Sequence, residues 1–360
     1  TGAQGVAGSF AAKGATGAAG AQGPAGHVVN SYPNKVININ SDNTVDASAN
    51  ESGIIVKASN DKEFLYKMED VPYSYEDTSN YDLTRGRAQI QKILTSSDND
   101  NSQFGWSISI DGDYAIIGAP YDDAQASNGG SAYIMINSGS TWSQQAKLFA
   151  SNAGSADYFG YSVGIHGDYA IVGAYKEDTG ASGSGSAYIF KRTGTTWSEE
   201  AHLSNPSPSS ADQFGLAVAI NGNYAVVGIH QDNYYVSDAG SAIIYLRSGT
   251  TWSQQARLFT SDQGNTALLG QSVAIDGEYV VLGAPRKQDP TDRTGNVYVF
   301  KRTDTTWTEQ AKLRSSDAAA DDYFGRSVAI DGDYVIVGAY GGNNNGGTYA
   351  GSAYIFQRSG

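Results

Sequence analysis

The stretch FGWSISIDGDYAIIGAP, residues 104–120, decides the fold, because the chain repeats it with little change. It returns as FGYSVGIHGDYAIVGAY at 159–175 and FGLAVAINGNYAVVGIH at 214–230. It returns again as LGQSVAIDGEYVVLGAP at 269–285 and FGRSVAIDGDYVIVGAY at 324–340. Phe104, Phe159, Phe214, Leu269 and Phe324 follow one another at a step of 55 residues, and so do Trp142, Trp197, Trp252 and Trp307. A fixed period of this length means one supersecondary unit copied and stacked, so the fold follows from the unit and its count.

Within a unit the first turn is the plainest signal. Ile110-Asp-Gly-Asp-Tyr114 and its four counterparts place Asp-Gly, Asn-Gly or His-Gly between β-rich runs. That is the chemistry of a two-residue hairpin, whose central residues need positive φ. The second strand, Ala115-Ile-Ile-Gly-Ala119 in the first unit, is apolar throughout and is expected to be buried on both faces. A Gly-Ser-Ala-Tyr-Ile-Phe run, a Thr-Thr-Trp turn and a Gln-Gln-Ala-Lys-Leu run complete four short strands, the content of a propeller blade. Five units fit, and the fifth stops at Gln357-Arg-Ser-Gly360 before its fourth strand. Ala88-Gln-Ile-Gln-Lys-Ile93 lies one period before Ser143-Gln-Gln-Ala-Lys-Leu148 and matches it at Gln89 and Lys92. The expected fold is therefore all-β: a five-bladed β-propeller of four-stranded antiparallel blades over 88–360. A strand at about 88–94 would complete the C-terminal blade and close both sheet edges. An open β-solenoid is the other arrangement of such units.

Two segments precede the repeat. Glycine falls at every third position from Gly2 to Gly26, with one miss at Ala11, over residues 1–26. Only glycine fits the axis of a collagen triple helix, so this tract reads as collagen-like and implies a trimer or bundle. A flexible Gly/Ala linker is the other reading of this composition. Residues 27–87 do not match the repeat. Lys35-Val-Ile-Asn-Ile-Asn40, Gly53-Ile-Ile-Val-Lys57 and Phe64-Leu-Tyr-Lys-Met68 read as strands of a small β-rich collar. The chain starts at Thr1 rather than Met, the expectation for a processed or truncated product.

Composition narrows the function. A net charge of −14 gives no basic footprint for nucleic acid. With no cysteine, neither disulfides nor thiolate metal sites are open to it. No apolar run reaches the length of a membrane span.

Phe104-Gly105 followed by Gly118-Ala119-Pro120, and Leu269-Gly270 followed by Gly283-Ala284-Pro285, resemble the FG-GAP repeats of integrin α-subunit propellers. The short bacterial and viral FG-GAP form is the nearer likeness. Gly173-Ala174-Tyr175, Gly228-Ile229-His230 and Gly338-Ala339-Tyr340 depart from the GAP triplet. The resemblance implies an extracellular propeller used for recognition or adhesion. Integrin-type repeats often carry a calcium loop between the first two strands. Here that place holds only Asp111-Gly-Asp113 and its counterparts, too few oxygens to wrap a cation that takes six to eight. These aspartates read as turn formers, and no cofactor is expected.

Catalytic chemistry finds little support. His27, His166, His202 and His230 share no metal-ligand spacing and occupy different slots of the unit, so they read as surface residues. No nucleophile elbow is present. Ser107, Ser162, Ala217, Ser272 and Ser327, facing the channel, include no acid, whereas a glycosidase needs a carboxylate pair. The recurring Trp and Tyr residues read as packing between blades or turn anchors, although a lectin with one pocket per blade would also repeat its aromatics. The units disagree in the loops after the second strand. Tyr121, Asp122, Asp123, Tyr175, Glu177, Asp178, Asp232, Tyr234, Tyr235 and Tyr340 are the candidate ligand-binding residues there. The expected protein is a non-enzymatic surface adhesin or a fibre or appendage subunit of a bacterium, virus or phage. Its head would recognise a glycan or a cell-surface protein, with a multivalent lectin and a glycan-acting enzyme as alternatives.

Overall fold

A computed structural model describes residues 27–32, 38–39, 45–46, 53–57, 63–67, 91–94, 101–139, 141–289, 293–342 and 349–358. The chain divides into two compact units, 1–92 and 93–360. The collagen-like tract at 1–26 lies outside the described residues.

In the first unit, His27–Tyr32, Gly53–Lys57 and Glu63–Lys67 form a three-stranded antiparallel sheet with Gly53–Lys57 in the middle. Asn38–Ile39 pairs with Val45–Asp46. The strands expected around 53–57 and 64–68 are present, and of the one expected at 35–40 only Asn38–Ile39, a strand, falls among the described residues. His27–Tyr32 was not anticipated, because Asn30 and Ser31 break its apolar pattern, and a register shift falls there, between Val28 and Asn30.

The second unit is five antiparallel sheets in a propeller arrangement. Blade 1 runs Ile108–Asp111, Tyr114–Ala119, Ser131–Asn137 and Trp142–Leu148, each strand paired with the next. Blades 2, 3 and 4 repeat this order from Ser162, Val218 and Ser272. Blade 5 has three strands, Ser327–Asp331, Tyr334–Ala339 and Ser352–Gln357. First strands of consecutive blades lie against one another, which places them innermost. The second strand is buried along its whole length in blade 2, Tyr169–Ala174, as its composition predicts.

Hydrophobic core lies between blades rather than within them. Ile116, Ile134 and Leu148 of blade 1 pack with Phe159, Val163 and Val172 of blade 2. Equivalent clusters join blades 2 to 3, 3 to 4 and 4 to 5. The repeated glycines make this approach possible. A Cβ added to Gly173 would lie 2.0 Å from the carbonyl oxygen of Gly215 in the next blade, and one on Gly118 would lie 1.9 Å from that of Gly160. Ser107, Ser162 and Ser272 each donate to that same glycine oxygen at 2.8 Å. The GA glycine and the FG glycine are thus two halves of one joint between neighbours.

The turns join blades as well. Asp111 Oδ2 accepts from the Gly167 N–H of the following blade at 2.6 Å, and Asp276 accepts from Gly332 at 2.8 Å. His166 substitutes in this column because Nδ1 can accept the same bond, from Gly222 at 3.2 Å. In blades 2, 3 and 4 the fourth-strand Trp packs edge-on against a turn Tyr of the preceding blade, Trp197 on Tyr114, Trp252 on Tyr169 and Trp307 on Tyr224. The indole N–H groups of Trp197 and Trp252 donate to Gln145 and Glu200 of the preceding blade. The Trp column is therefore packing between blades, as its repetition suggests.

The outer flanks of blades 1 and 5 lack the joint. Nothing lies within 4 Å of a Cβ built on Gly105, and Gly338 is approached only by Ser327 of its own blade. Ile108 and Ile110 on one flank, and Ile355 on the other, are 74%, 67% and 70% exposed. The expected closing strand is not realised among the described residues: 91–94 carry no strand, and 88–90 lie outside them. Ile93 nonetheless packs with Ile117 and Tyr133 of blade 1, as Leu148, one period later, packs with blade 2. Among the described residues blade 5 has no fourth strand, and a cavity of about 440 Å³ stands over Tyr279 and Gln310, the counterparts of the residues that receive a Trp at the junctions of blades 1 to 4.

Two glycine substitutions separate the joint from the turn. Gly173→Ala forces a methyl group onto a neighbouring backbone carbonyl and is expected to cost more than about 3 kcal/mol. Gly167→Ala meets open space at φ +58° and costs about 1 kcal/mol, the left-handed penalty alone. Urea denaturation of the two variants measures the difference.

Candidate binding site at the propeller mouth

In each blade the FG glycine N–H bonds to the carbonyl of the GA glycine, Gly160 to Gly173 at 3.0 Å and Gly215 to Gly228 at 3.1 Å. This closes the inner end of the first hairpin. The residue after FG and the residues after GA therefore emerge side by side around the axis, on the face opposite the Asp-Gly turns. The column after FG reads Trp106, Tyr161, Leu216, Gln271 and Arg326, with no residue used twice. The column after GA reads Pro120, Tyr175, His230, Pro285 and Tyr340.

A cavity of about 320 Å³ opens at this mouth. Blade 2 lines it with Tyr161, Tyr175 and Lys176, blade 3 with Gln213, Leu216 and His230, and blades 4 and 5 with Gln271 and Arg326. Lining from four blades places it over the axis. Its size is at the lower end of ligand pockets, enough for a sugar-sized group.

One side is a continuous aromatic wall. Trp106 meets Tyr161 at 5.2 Å and Tyr121 at 6.2 Å between ring centres. Tyr161 lies 4.4 Å from Tyr175, and Tyr158 bridges Tyr121 and Tyr175 at 5.1 and 5.6 Å. Trp106 remains 47% exposed, so its ring is available. Burial, then the neighbouring Tyr161, Tyr158 and Tyr121, pushes the Tyr175 hydroxyl up to about 12, which keeps it a donor at any physiological pH.

The lining also carries two cations, Lys176 and Arg326, and a histidine. His230 is 6% exposed, and its Nδ1 is buried without a hydrogen-bond partner among the described residues. Burial, followed by the Arg326 and Arg286 guanidiniums, lowers its pKa to about 4. The imidazole is therefore neutral at the mouth. Sequence had placed His230 on the surface; the structure buries it, because it takes the column behind the second strand rather than a loop tip.

The residues singled out from sequence divide into three groups. Tyr121 and Tyr175 belong to the aromatic wall, and Tyr340 stacks on Tyr323 at 4.9 Å in blade 5. Tyr234 and Tyr235 are exposed, but they pack on Phe259 beyond the fourth strand, at the rim. The acids are engaged inside their own loops. Asp122 is buried, pairs with Lys147 at 2.6 Å and accepts from Ser131 and Tyr133. Burial raises its pKa, but the bonds from Lys147, Ser131 and the Ala124 N–H outweigh that and hold it below the usual value. Glu177 accepts from Asn152, Thr179 and Ser186, and Asp232 pairs with Arg257. Asp123 and Asp178 accept from the Asn128 and Gly183 N–H groups and set the loop. In blade 4 Lys287 occupies the acid's place and the fourth-strand cation is kept as Lys312, with Asp262 and Asp289 supplying the acids. Among the described residues no group of three or more His, Asp or Glu side chains could hold a metal ion.

Sequence reasoning missed Trp106, Tyr161, Leu216, Gln271 and Arg326. The signal was present as the single divergent column inside the most uniform stretch of the unit.

Five segments, 88–135, 142–190, 197–245, 252–300 and 307–356, match the family model described as FG-GAP repeat. The last four windows open on a fourth strand and continue into the third strand of the next blade, so the repeat is offset from the blade by one strand. No curated protein matches the chain. No helix among the described residues is long and apolar enough to cross a membrane.

The depressed His230 pKa has a stability consequence. A histidine at about 4 when folded and 6.5 when unfolded leaves stability intact above about pH 6.5. Stability then falls as pH drops toward 4, by up to about 3 kcal/mol. His230→Gln is expected to flatten that part of the profile, read as melting temperature against pH. An unchanged slope would contradict the assignment. With matches through most of its length, the chain belongs to the FG-GAP repeat family.

Proposed function

We propose that the propeller is a non-catalytic recognition head of a surface adhesin or fibre subunit, and that it binds a glycan at the mouth. One observation carries this reading. At equivalent positions around a single opening, the blades contribute different side chains, while the joints and turns beside those positions hardly vary. A frame needs no such diversity, and a single asymmetric ligand does. The FG-GAP propeller fold is itself consistent with a non-enzymatic adhesion-type domain.

Tyr161 and Tyr175 in the lining, with the exposed Trp106 tilted against Tyr161, offer aromatic rings on which the C–H face of a pyranose can stack. Gln213 and Gln271 add donors and acceptors suited to hydroxyl groups. Among the described residues the lining includes no carboxylate, so none of them forms an acid–base pair for glycoside hydrolysis at this opening. A lectin with one pocket per blade would need the same aromatic in each unit, and the column after FG supplies five different residues.

A glycan array probed with the full chain tests the proposal. Binding to at least one glycan is expected, with Trp106→Ala and Tyr161→Ala each weakening it about tenfold or more, a loss of about 1.4 kcal/mol per decade. Tyr234→Ala, at the rim, should leave affinity within twofold. No bound glycan, or binding indifferent to Trp106 and Tyr161 but lost with Tyr234, would overturn the reading.

A further inference from the structure

The chain carries 37 acidic residues against 23 Lys and Arg, so a local excess of positive charge has to be assembled. The mouth has one. Lys176 and Arg326 line it, and Arg286 is close enough to His230 to act on its charge. Among the described residues none of these three cations forms an ion pair. Elsewhere in the propeller Lys147, Arg192, Arg257, Arg302 and Lys312 each pair with an acid. Arg326 and Arg286 are exposed, and Lys176 lies over the rings of Tyr158 and Tyr175 at 5.3 and 5.7 Å. The loop acids that could have neutralised them are the buried struts, whose oxygens are turned away into Lys147, Ser186 and Arg257.

We infer that the mouth selects an acidic sugar, a pyranose bearing a carboxylate or a sulfate, with the anion on Arg326 and the ring against Tyr161 and Tyr175. This rests on the reading of the mouth as a glycan site and adds the charge of its ligand. A guanidinium presents a planar fork of N–H donors that matches either oxyanion. A neutral sugar would leave Lys176, Arg286 and Arg326 unused. A flexible anion without a ring would leave the aromatic wall unused. The lining without a carboxylate removes the repulsion that an anion would otherwise meet in a chain of this net charge.

Titration calorimetry with the full chain and three probes tests the inference: an oligouronate, its methyl ester, and a sulfated galactan oligosaccharide. At least one acidic probe is expected to bind tenfold or more tightly than the neutral ester, with affinity falling as salt is raised. Which acidic probe wins identifies carboxylate or sulfate as the anion. Arg326→Gln, at an exposed position, should abolish the preference, bringing the acidic probes to the affinity of the ester, and a thermal melt checks that the variant is folded. Equal affinity for acidic and neutral probes, or a preference that survives Arg326→Gln, overturns the acidic-sugar inference and leaves the glycan site standing. Failure of every probe, acidic and neutral, counts against both.

Discussion

Everything in the propeller depends on one contact, the seating of a glycine carbonyl from one blade against the glycine Cα of the blade before it. With a Cβ at Gly173 or Gly283 only 2.0 Å from the opposing oxygen, no other residue permits it. The contact brings second strands close enough to share core residues, and it fixes where the FG and GA segments end. Side chains next to these segments lie outside the joint itself, with Pro120, His230 and Pro285 buried and Trp106, Lys176 and Arg326 exposed. They project around the axis, where they are free to differ. Uniformity of the joint and diversity of the mouth are two results of the same packing requirement.

Electrostatics follows the same division. Asp122 and Asp232 are buried struts that tie a loop to its fourth strand, Glu177 is held by Asn152 and Ser186, and blade 4, with Lys287 in the acid's place, brings in Asp262 and Asp289 as acids. The added acids matter because a buried charge that loses its partner is left uncompensated. The struts consume negative charge where it would otherwise surround the mouth. Lys176, Arg286 and Arg326 therefore stand unopposed at the one place where the blades differ most.

Much of the fold was legible in the sequence. The period gave the blade count, the Asp-Gly turns gave the hairpins, and the Trp column was correctly read as packing. The closing strand was not realised among the described residues, because matching Gln89 and Lys92 to a later strand says nothing about which edge it meets. Within the site, Tyr121 and Tyr175 were found as loop aromatics, while Asp122, Glu177 and Asp232 were singled out as variable acids although burial commits them to their loops. Variation alone cannot distinguish a strut from a ligand contact; burial does. Trp106 and Arg326 escaped notice because they sit inside the repeated motif, where attention falls on what is constant. His230 escaped because a lone histidine carries no sign of its own burial.

The central claim is that the ligand sits over the axis, on the residues after FG and GA. A crystal structure of the full chain with an array-selected oligosaccharide tests it most directly. The account predicts a sugar ring against Tyr161 and Tyr175 with polar contacts to Arg326, once per propeller. Density at the rim beside Tyr234 and Tyr235, or repeated equivalently in every blade, would contradict it.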